Sequence, residues 1–162
     1  MTRALAFHSR SAEDTRWMGI LFGIELQEGD FLALQGELGS GKTTLAGGIG
    51  VGLGVEGNLA SPTYLLCREH SGRHLLFHLD AYFGERMESL LAEGLAERLA
   101  GPGVVIAEWP ERMEAWLPSD RLEIQLDGAG DERVLAFKAT GPGGKALLER
   151  VQAAMKKMDE SA

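Results

Sequence analysis

The segment that most constrains this chain runs from Gly36 to Thr43 and reads GELGSGKT. It matches the pattern G-x-x-x-x-G-K-[ST] at every fixed position, a glycine-rich loop whose backbone N–H groups can surround phosphate oxygens. In that pattern Lys42 reaches the β- and γ-phosphates of a nucleotide, and the Thr43 hydroxyl ligates Mg²⁺. The pattern needs a strand before it and a helix after it, so it restricts the fold as well as the ligand.

The flanking sequence supplies both elements. Residues 30–35 (DFLALQ) form a short apolar run that predicts a buried strand, and a helix is predicted from Lys42. The positive end of that helix's dipole would favour a bound anion. The helix is unusual because it contains four glycines, each costing about 0.8–1 kcal/mol relative to alanine. Either the helix is short, or other backbone packs closely against it, or bound nucleotide stabilises it. The glycines are Gly47, Gly48, Gly50 and Gly52.

Length and composition predict one globular domain covering residues 1–162, with 44% hydrophobic residues. No apolar run approaches the roughly 20 residues of a membrane span. The segment from Met1 to Arg10 lacks the apolar core of a signal peptide, so we expect a cytoplasmic protein that does not act at a membrane. A single cysteine, Cys67, excludes an internal disulfide and fits a reducing compartment. Its simplest interpretation is a small hydrophobic residue in a strand.

The net charge is −8 and the pI is about 5.0. Binding to a nucleic-acid backbone requires clustered lysine and arginine, and here the clusters are short, as at Lys156 and Lys157. We therefore do not expect this chain to bind nucleic acid by itself. The sequence leaves open whether folding brings scattered basic residues together into one patch.

Hydrophobic patterns outline the remaining elements. Residues 11–14 have the spacing of a helix capping box, and an amphipathic helix is predicted from the spacing of the apolar residues that follow, Trp17, Ile20, Leu21 and Ile24. Strands are predicted at residues 65–67, 74–80 and 104–107, and a hairpin joins 122–126 to 134–138. Further helices are predicted around residues 87–95 and 147–155. The result is an α/β fold with a mainly parallel central sheet and an appended antiparallel hairpin.

Two of the predicted strands end in an acidic residue. The run at 104–107 is followed by Glu108, and the run at 75–79 is followed by Asp80. Ligands of open α/β sheets bind at the carboxyl ends of the strands, and a phosphate loop needs acids there to hold Mg²⁺ and its waters. Glu108 and Asp80 are therefore candidate metal ligands and catalytic residues, together with Lys42.

Three histidines, His70, His74 and His78, lie four residues apart. On one helix they would align as metal ligands, but Gly72 and the strand-like run after it argue against a helix, and we predict no zinc site. His78 and Asp80 would instead share one face of a strand.

The sequence also indicates which nucleotide base is preferred, because a motif that recognises guanine is absent. The guanine-reading [NT]-K-x-D is missing, because the only asparagine, Asn58, is not followed by lysine. ATP is therefore favoured over GTP. No LSGGQ-like stretch indicates a transporter-type ATPase.

Four segments in this order resemble the bacterial TsaE (YjeE) family: the phosphate loop, S-P-T-Y at 61–64, H-L-D-A-Y at 78–82 and E-W-P-E at 108–111. The resemblance extends from about residue 11 to residue 151. It implies a small P-loop ATPase with a P-loop NTPase-like three-layer fold, required for threonylcarbamoyladenosine modification of tRNA. It also implies ATP and Mg²⁺ as cofactors and slow hydrolysis. Partners similar to TsaB and TsaD would contact the tRNA, so that this chain meets it only indirectly.

The resemblance also implies roles for individual residues. Thr43 and Glu108 would ligate Mg²⁺, and Asp80 would organise metal-bound water or hydrolysis. Thr63 would belong to a switch-like loop facing the γ-phosphate, and Trp109 would shape the site. The nucleotide-binding set is Thr15, Glu37, Leu38, Gly39, Ser40, Gly41, Lys42, Thr43, Thr44, Thr63, Trp109 and Arg133.

One position departs from the family pattern, since many members carry arginine where this chain has Phe83. Two other functions stay open. A small-molecule kinase has similar length and the same loop, although no arginine-rich lid motif is visible between residues 85 and 121. The third candidate function is a module that binds other proteins in a nucleotide-dependent way and does not turn over ATP at a useful rate. ATP turnover without a phosphoacceptor distinguishes the ATPase from the kinase, and stimulation by partners distinguishes it from the inert module.

Overall fold

The computed structural model describes residues 5–57, 59, 66–128 and 130–161. Its strands are β1 (Leu5–Ser9), β2 (Phe31–Gln35), β3 (Cys67–Ser71), β4 (Leu75–Asp80), β5 (Val104–Glu108), β6 (Leu122–Asp127) and β7 (Arg133–Ala139). Its α-helices are α1 (Ala12–Glu25), α2 (Lys42–Gly52), α3 (Gly84–Leu90), α4 (Ala96–Leu99) and α5 (Pro142–Ser161). A π-helical turn (Leu91–Leu95) joins α3 to α4, and a 3₁₀ helix (Pro110–Trp116) follows β5.

The seven strands form one sheet in the order β1-β7-β6-β2-β5-β4-β3. Strands β6, β2, β5 and β4 are parallel to one another, whereas β3 pairs antiparallel with β4, β7 with β6, and β1 with β7. The hairpin β6–β7 is thus appended to a parallel centre, and the predicted fold class is confirmed.

Alternating strand residues direct two cores to opposite faces of the sheet. Leu32, Leu34, Val104 and Ile106 point to the face covered by α1, α2 and α5. Their neighbours Phe31, Ala33, Val105 and Ala107 point to the other face, which α3, the π-helical turn and the 3₁₀ helix cover. The molecule therefore has three layers. Because side chains alternate along a strand, the position of a residue in a central strand decides which face of the sheet its side chain occupies.

Two of the four glycines of α2, Gly48 and Gly52, are explained by contact with α1. A Cβ on Gly48 would overlap the carbonyl oxygen of Arg16 and lie 3.0 Å from the Cα of Gly19. A Cβ on Gly52 would lie 2.8 Å from the Cα of Gly23. The two backbones approach so closely that no side chain fits between them, which selects the second of the three explanations offered by the sequence. Gly47 faces away, and a Cβ there would meet nothing within 4 Å.

This close approach corrects the predicted face of α1. The helix and its N-cap are confirmed, since the Ser11 hydroxyl accepts a hydrogen bond from the amide of Asp14. The predicted apolar face is right at Leu21, which is buried, and wrong at Ile24, which is 52% exposed. The buried residues of the helix are Thr15, Met18, Gly19, Leu21, Phe22 and Gly23. Thr15 and the two glycines carry no hydrophobic signal, so the spacing of the chosen apolar residues displaced the face.

Several other elements differ from the predictions in their bounds, and two were not predicted. The strand predicted at 65–67 begins only at Cys67, because Leu66 has a positive φ of 59°, and residue 65 lies outside the described part. Burial raises the pKa of the Cys67 thiol to about 11, which fits an unreactive packing role. The helix predicted around 87–95 is interrupted at Gly94, whose φ is 135°. Strand β1 and the 3₁₀ helix had no counterpart in the predictions. In the described part of the chain, no helix is long and apolar enough to cross a membrane.

Candidate functional site: a phosphate loop facing two strand-end carboxylates

The glycine-rich loop leaves β2 at Gln35 and enters α2 at Lys42, as the motif requires. Gly41 is the N-cap of α2 and has a φ of 103°, and Gly39 has a φ of 78°. L-residues with side chains rarely adopt these angles, so glycine is needed at both positions for the loop to curl over the helix N-terminus. A helix N-terminus with a loop of this shape is a binding site for anions.

The ammonium group of Lys42 lies inside the loop and not in solvent. Its Nζ donates a 2.5 Å hydrogen bond to the carbonyl of Gly36 and lies 3.6 Å from the ring centre of Trp109. Only 6% of Lys42 is exposed. Burial lowers the pKa of this amine, while nearby carboxylates, first that of Glu108, oppose the shift. A buried cation held by one carbonyl and one aromatic ring is suited to receive an anionic ligand.

Arg133 holds the outer side of the loop. Its Nε donates to the carbonyl of Ser40 at 2.8 Å, and one terminal nitrogen donates to that of Gly39 at 2.9 Å. The other terminal nitrogen donates to the carbonyls of Gly130 and Glu132. The guanidinium therefore joins the loop to the turn that precedes β7.

Two carboxylates lie opposite the loop because of strand parity and register. Glu108 ends β5 and Asp80 ends β4, and the two residues are partners across the parallel pair. Both share the parity of Leu76 and Ile106, which belong to the core beneath α2. Their side chains therefore project to the α2 side of the sheet, at its carboxyl edge. The exposed fractions are only 5% for Asp80 and 4% for Glu108.

Each carboxylate is oriented by a hydrogen bond. The Nε2 atom of His78 lies 2.6 Å from Oε2 of Glu108. Asp80 accepts a hydrogen bond from the backbone amide of Tyr82 through Oδ1 at 2.9 Å. These contacts fix the direction of two acids that face the same loop.

Aromatic side chains close one side of the cleft. Trp109 follows the acid of β5 with a φ of 58°, unusual for a residue with a side chain, and this turns its ring toward Lys42. Tyr82 meets the Trp109 ring edge-on at 5.3 Å between centroids. The guanidinium of Arg112 lies over both rings, at 4.5 Å from Tyr82 and 4.8 Å from Trp109, and donates to the carbonyl of Tyr82. Arg112 was missed in the sequence, because only the fold brings it to this wall.

The loop, acids and aromatic wall enclose a cleft of about 470 Å³. It is lined by ten of the predicted site residues: Leu38, Gly39, Gly41, Lys42, Thr43, Thr44, Asp80, Glu108, Trp109 and Arg133. Tyr82 and Phe83 line it as well. Glu37 and Ser40 are loop residues but do not line the cleft. Thr63, with the predicted loop at 61–64, lies outside the described residues.

Thr15 is placed beside the cleft, in a small adjoining cavity of about 70 Å³ that Gly41, Thr44 and Arg133 also line. Its hydroxyl lies 2.7 Å from that of Ser9 and is buried. The predicted position next to the nucleotide is therefore compatible with the fold, although the hydroxyl is already paired.

The chemistry of the donors fits Mg²⁺ only when phosphate oxygens complete the site. Thr43, Asp80 and Glu108 supply a hydroxyl and two carboxylates around the cleft. Among the described residues, no group of three or more His, Cys, Asp or Glu could hold a metal alone. Mg²⁺ is usually bound by one or two carboxylates together with substrate phosphates and water. The Ser40 hydroxyl in the loop is buried and has no hydrogen-bond partner in the described part of the chain.

Comparison with known proteins identifies the family. The family model for "Threonylcarbamoyl adenosine biosynthesis protein TsaE" matches residues 9–135. The chain belongs to this family. TsaE from Bacillus subtilis is 36% identical over 152 residues, covering 92% of this chain and 94% of the relative. TsaE from Treponema pallidum is 39% identical over 118 residues, covering 73% and 87%.

A solved TsaE-like structure supports the fold over nearly the full length. The crystal structure of Bacillus subtilis YdiB superposes with a TM-score of 0.80 at 33% identity, covering 95% of this chain and 97% of YdiB. The resemblance stated from the sequence motifs is therefore confirmed, both as a family and as a fold.

Proposed function

We propose that this TsaE-family chain is a cytoplasmic ATPase that binds ATP with Mg²⁺, hydrolyses it slowly, and acts in tRNA threonylcarbamoyladenosine biosynthesis through partner proteins. One observation carries the proposal: the strand-end acids Asp80 and Glu108 and the loop residues Lys42 and Thr43 line a single cleft. The biosynthetic process is that of the relatives, whose names state it.

The cleft residues divide the work. The loop backbone and Lys42 would bind the phosphates, and the ammonium group would leave the Gly36 carbonyl to do so. Thr43 and Glu108 would hold Mg²⁺, which when bound supplies charge neutralisation at the phosphates. Asp80 would orient the attacking water, since its carboxylate lies at the same edge as Glu108.

Slow hydrolysis follows from how the arginines are used. Among the described residues that line the cleft, the one arginine is Arg133, and its donors are occupied by loop carbonyls. Phe83 stands where many family members have arginine. An arginine supplied in trans can raise phosphoryl-transfer rates by about 10³–10⁵-fold. We propose that TsaB-like and TsaD-like partners provide this activation, by an arginine or by ordering the site.

Contact with tRNA would be indirect. The net charge of −8 disfavours binding to a phosphate backbone at physiological salt. The partners would hold the RNA, and this chain would couple nucleotide state to their assembly.

Calorimetric titration with Mg-ATP tests the assignment. Replacing Lys42 with alanine removes a charge-assisted phosphate contact worth roughly 1.5–3 kcal/mol, so binding should fall by at least about tenfold. Lys138→Ala, which removes an exposed lysine on β7, is the matched control and should bind as the wild type does. Equal affinity of Lys42→Ala and wild type would refute the assignment. ATP turnover without any phosphoacceptor separates this function from a kinase.

A further inference from the structure

We propose that His78 is a positioning residue, which donates a hydrogen bond to Glu108 and so aims that carboxylate at the metal. The inference rests on the proposed function, because it presumes that Glu108 holds Mg²⁺. It adds a residue that the phosphate-loop motif does not contain.

The contact is short, buried and built into the sheet. His78 is fully buried, and its Nε2 lies 2.6 Å from Oε2 of Glu108. The two residues are on adjacent parallel strands, where His78 pairs with Ile106 and Asp80 pairs with Glu108. His78 and Glu108 are thus diagonal neighbours on one face of the sheet. The Glu108 carboxylate, which lines the cleft, is therefore held by the imidazole ring of a fully buried residue.

The hydrogen-bond pattern assigns the role of each nitrogen. An ionised carboxylate only accepts hydrogen bonds, so the hydrogen in this contact belongs to His78 Nε2. His78 Nδ1 is buried and has no hydrogen-bond partner among the described residues. The contact therefore needs a hydrogen on Nε2, which makes His78 the donor and Glu108 the acceptor.

An orienting partner of this kind affects metal binding more than folding. Groups that hydrogen-bond to a metal ligand fix its orientation, and their removal commonly costs 10–100-fold in metal affinity. Nucleotide binding without metal depends on the loop and Lys42, whereas the Nε2 atom of His78 is directed to Glu108. Removing the His78 donor should therefore weaken metal binding and leave metal-free nucleotide binding unchanged.

The experiment measures Mn²⁺ affinity by electron paramagnetic resonance, with a non-hydrolysable ATP analogue bound to the full chain. His78→Leu removes the donor and keeps an apolar filling. We expect about 10–100-fold weaker Mn²⁺ binding, with unchanged affinity for the analogue in EDTA. His78→Gln places an amide N–H near the position of Nε2 and should recover most of the Mn²⁺ affinity. His70→Leu, in the neighbouring strand, is the matched histidine control and should bind Mn²⁺ as the wild type does.

Four outcomes of these measurements would overturn the proposal. A folded His78→Leu protein with wild-type Mn²⁺ affinity overturns it, as does a folded His78→Gln protein that is no better than His78→Leu. If His78→Leu does not fold, His78→Asn replaces it, because its shorter amide does not reach Glu108. Glu108→Gln separates this inference from the function it rests on. Wild-type Mn²⁺ affinity in Glu108→Gln overturns both, whereas a loss there without a loss in His78→Leu overturns only the role of His78.

Discussion

The two sides of the cleft are held in place by different kinds of contact. The loop side is fixed mainly by backbone packing, since α2 packs against α1 through glycines, and the Arg133 side chain binds the loop carbonyls. The acid side is fixed mainly by contacts between side chains, His78 with Glu108 and Tyr82 with Trp109. Backbone contacts at van der Waals limits tolerate almost no displacement, whereas side-chain contacts exchange partners by rotamer changes. We infer that the loop is a rigid cradle and that changes with nucleotide state are concentrated on the acid side.

The acid side gives the largest expected effect on catalysis. Glu108→Gln and Asp80→Asn should lower ATP turnover by about 10²–10³-fold, the range for removing one group that stabilises a transition state. ATP affinity should change far less, because the loop and Lys42 still hold the phosphates. Turnover and calorimetric affinity are measured across a series of Mg²⁺ concentrations. Glu108→Gln should also require more Mg²⁺, and a variant that matches the wild type at every Mg²⁺ concentration would remove its acid from the site.

The loop side gives the largest expected effect on stability. Gly48→Ala places a methyl group against the carbonyl of Arg16 and should cost about 3 kcal/mol of unfolding free energy, the upper end for overpacking. Gly47→Ala is the matched control one residue earlier in α2, where the new Cβ meets nothing within 4 Å. It should stabilise the protein by about 0.5–1 kcal/mol. Urea denaturation measures both, and equal effects at the two positions would contradict the rigid-cradle interpretation.

Substitutions of Arg133 test whether its hydrogen bonds to the loop carbonyls are needed for the loop to bind ATP. Arg133→Ala should weaken ATP binding by about tenfold, the order of one lost hydrogen bond to a charged donor. Arg133→Lys should not restore it, because a single ammonium cannot replace a fork that reaches Ser40 and Gly39 together. Calorimetry with Mg-ATP provides the comparison. Recovery in Arg133→Lys would show that only the charge matters.

Local sequence signals predicted most of the cradle and the placement of the acids. The phosphate loop is a contiguous motif, and each acid directly follows an apolar run, so both features are visible in short segments of the sequence. The hairpin β6–β7 was equally local. These features transferred directly from sequence to structure.

The features that sequence did not predict depend on residues brought together from far apart. The buried glycine face of α1 is defined by α2, and β1 is an edge strand whose partner β7 lies near the other end of the chain. His78 meets Glu108 across 30 positions, and Arg133 reaches Ser40 across 93. No local pattern contains such pairs, because strand order and register decide them.

The smallest expected effect concerns Thr15, a member of the predicted nucleotide-binding set. The Ser9 hydroxyl donates to the carbonyl of Ser11 at 2.8 Å, so its single hydrogen is used there. Thr15 must therefore donate to Ser9, and its own hydrogen is unavailable to a nucleotide. The cavity beside it is small, about 70 Å³.

Thr15→Val should therefore affect stability more than binding. Loss of the buried hydrogen bond should lower the unfolding free energy by about 1 kcal/mol, since the Ser9 oxygen keeps its other bond. ATP affinity and the preference for ATP over GTP should stay close to those of the wild type. Urea denaturation and competition titrations with GTP measure the two quantities. A marked loss of ATP affinity at unchanged stability would show that Thr15 exchanges Ser9 for the nucleotide, and that the loop side also rearranges when ligand binds.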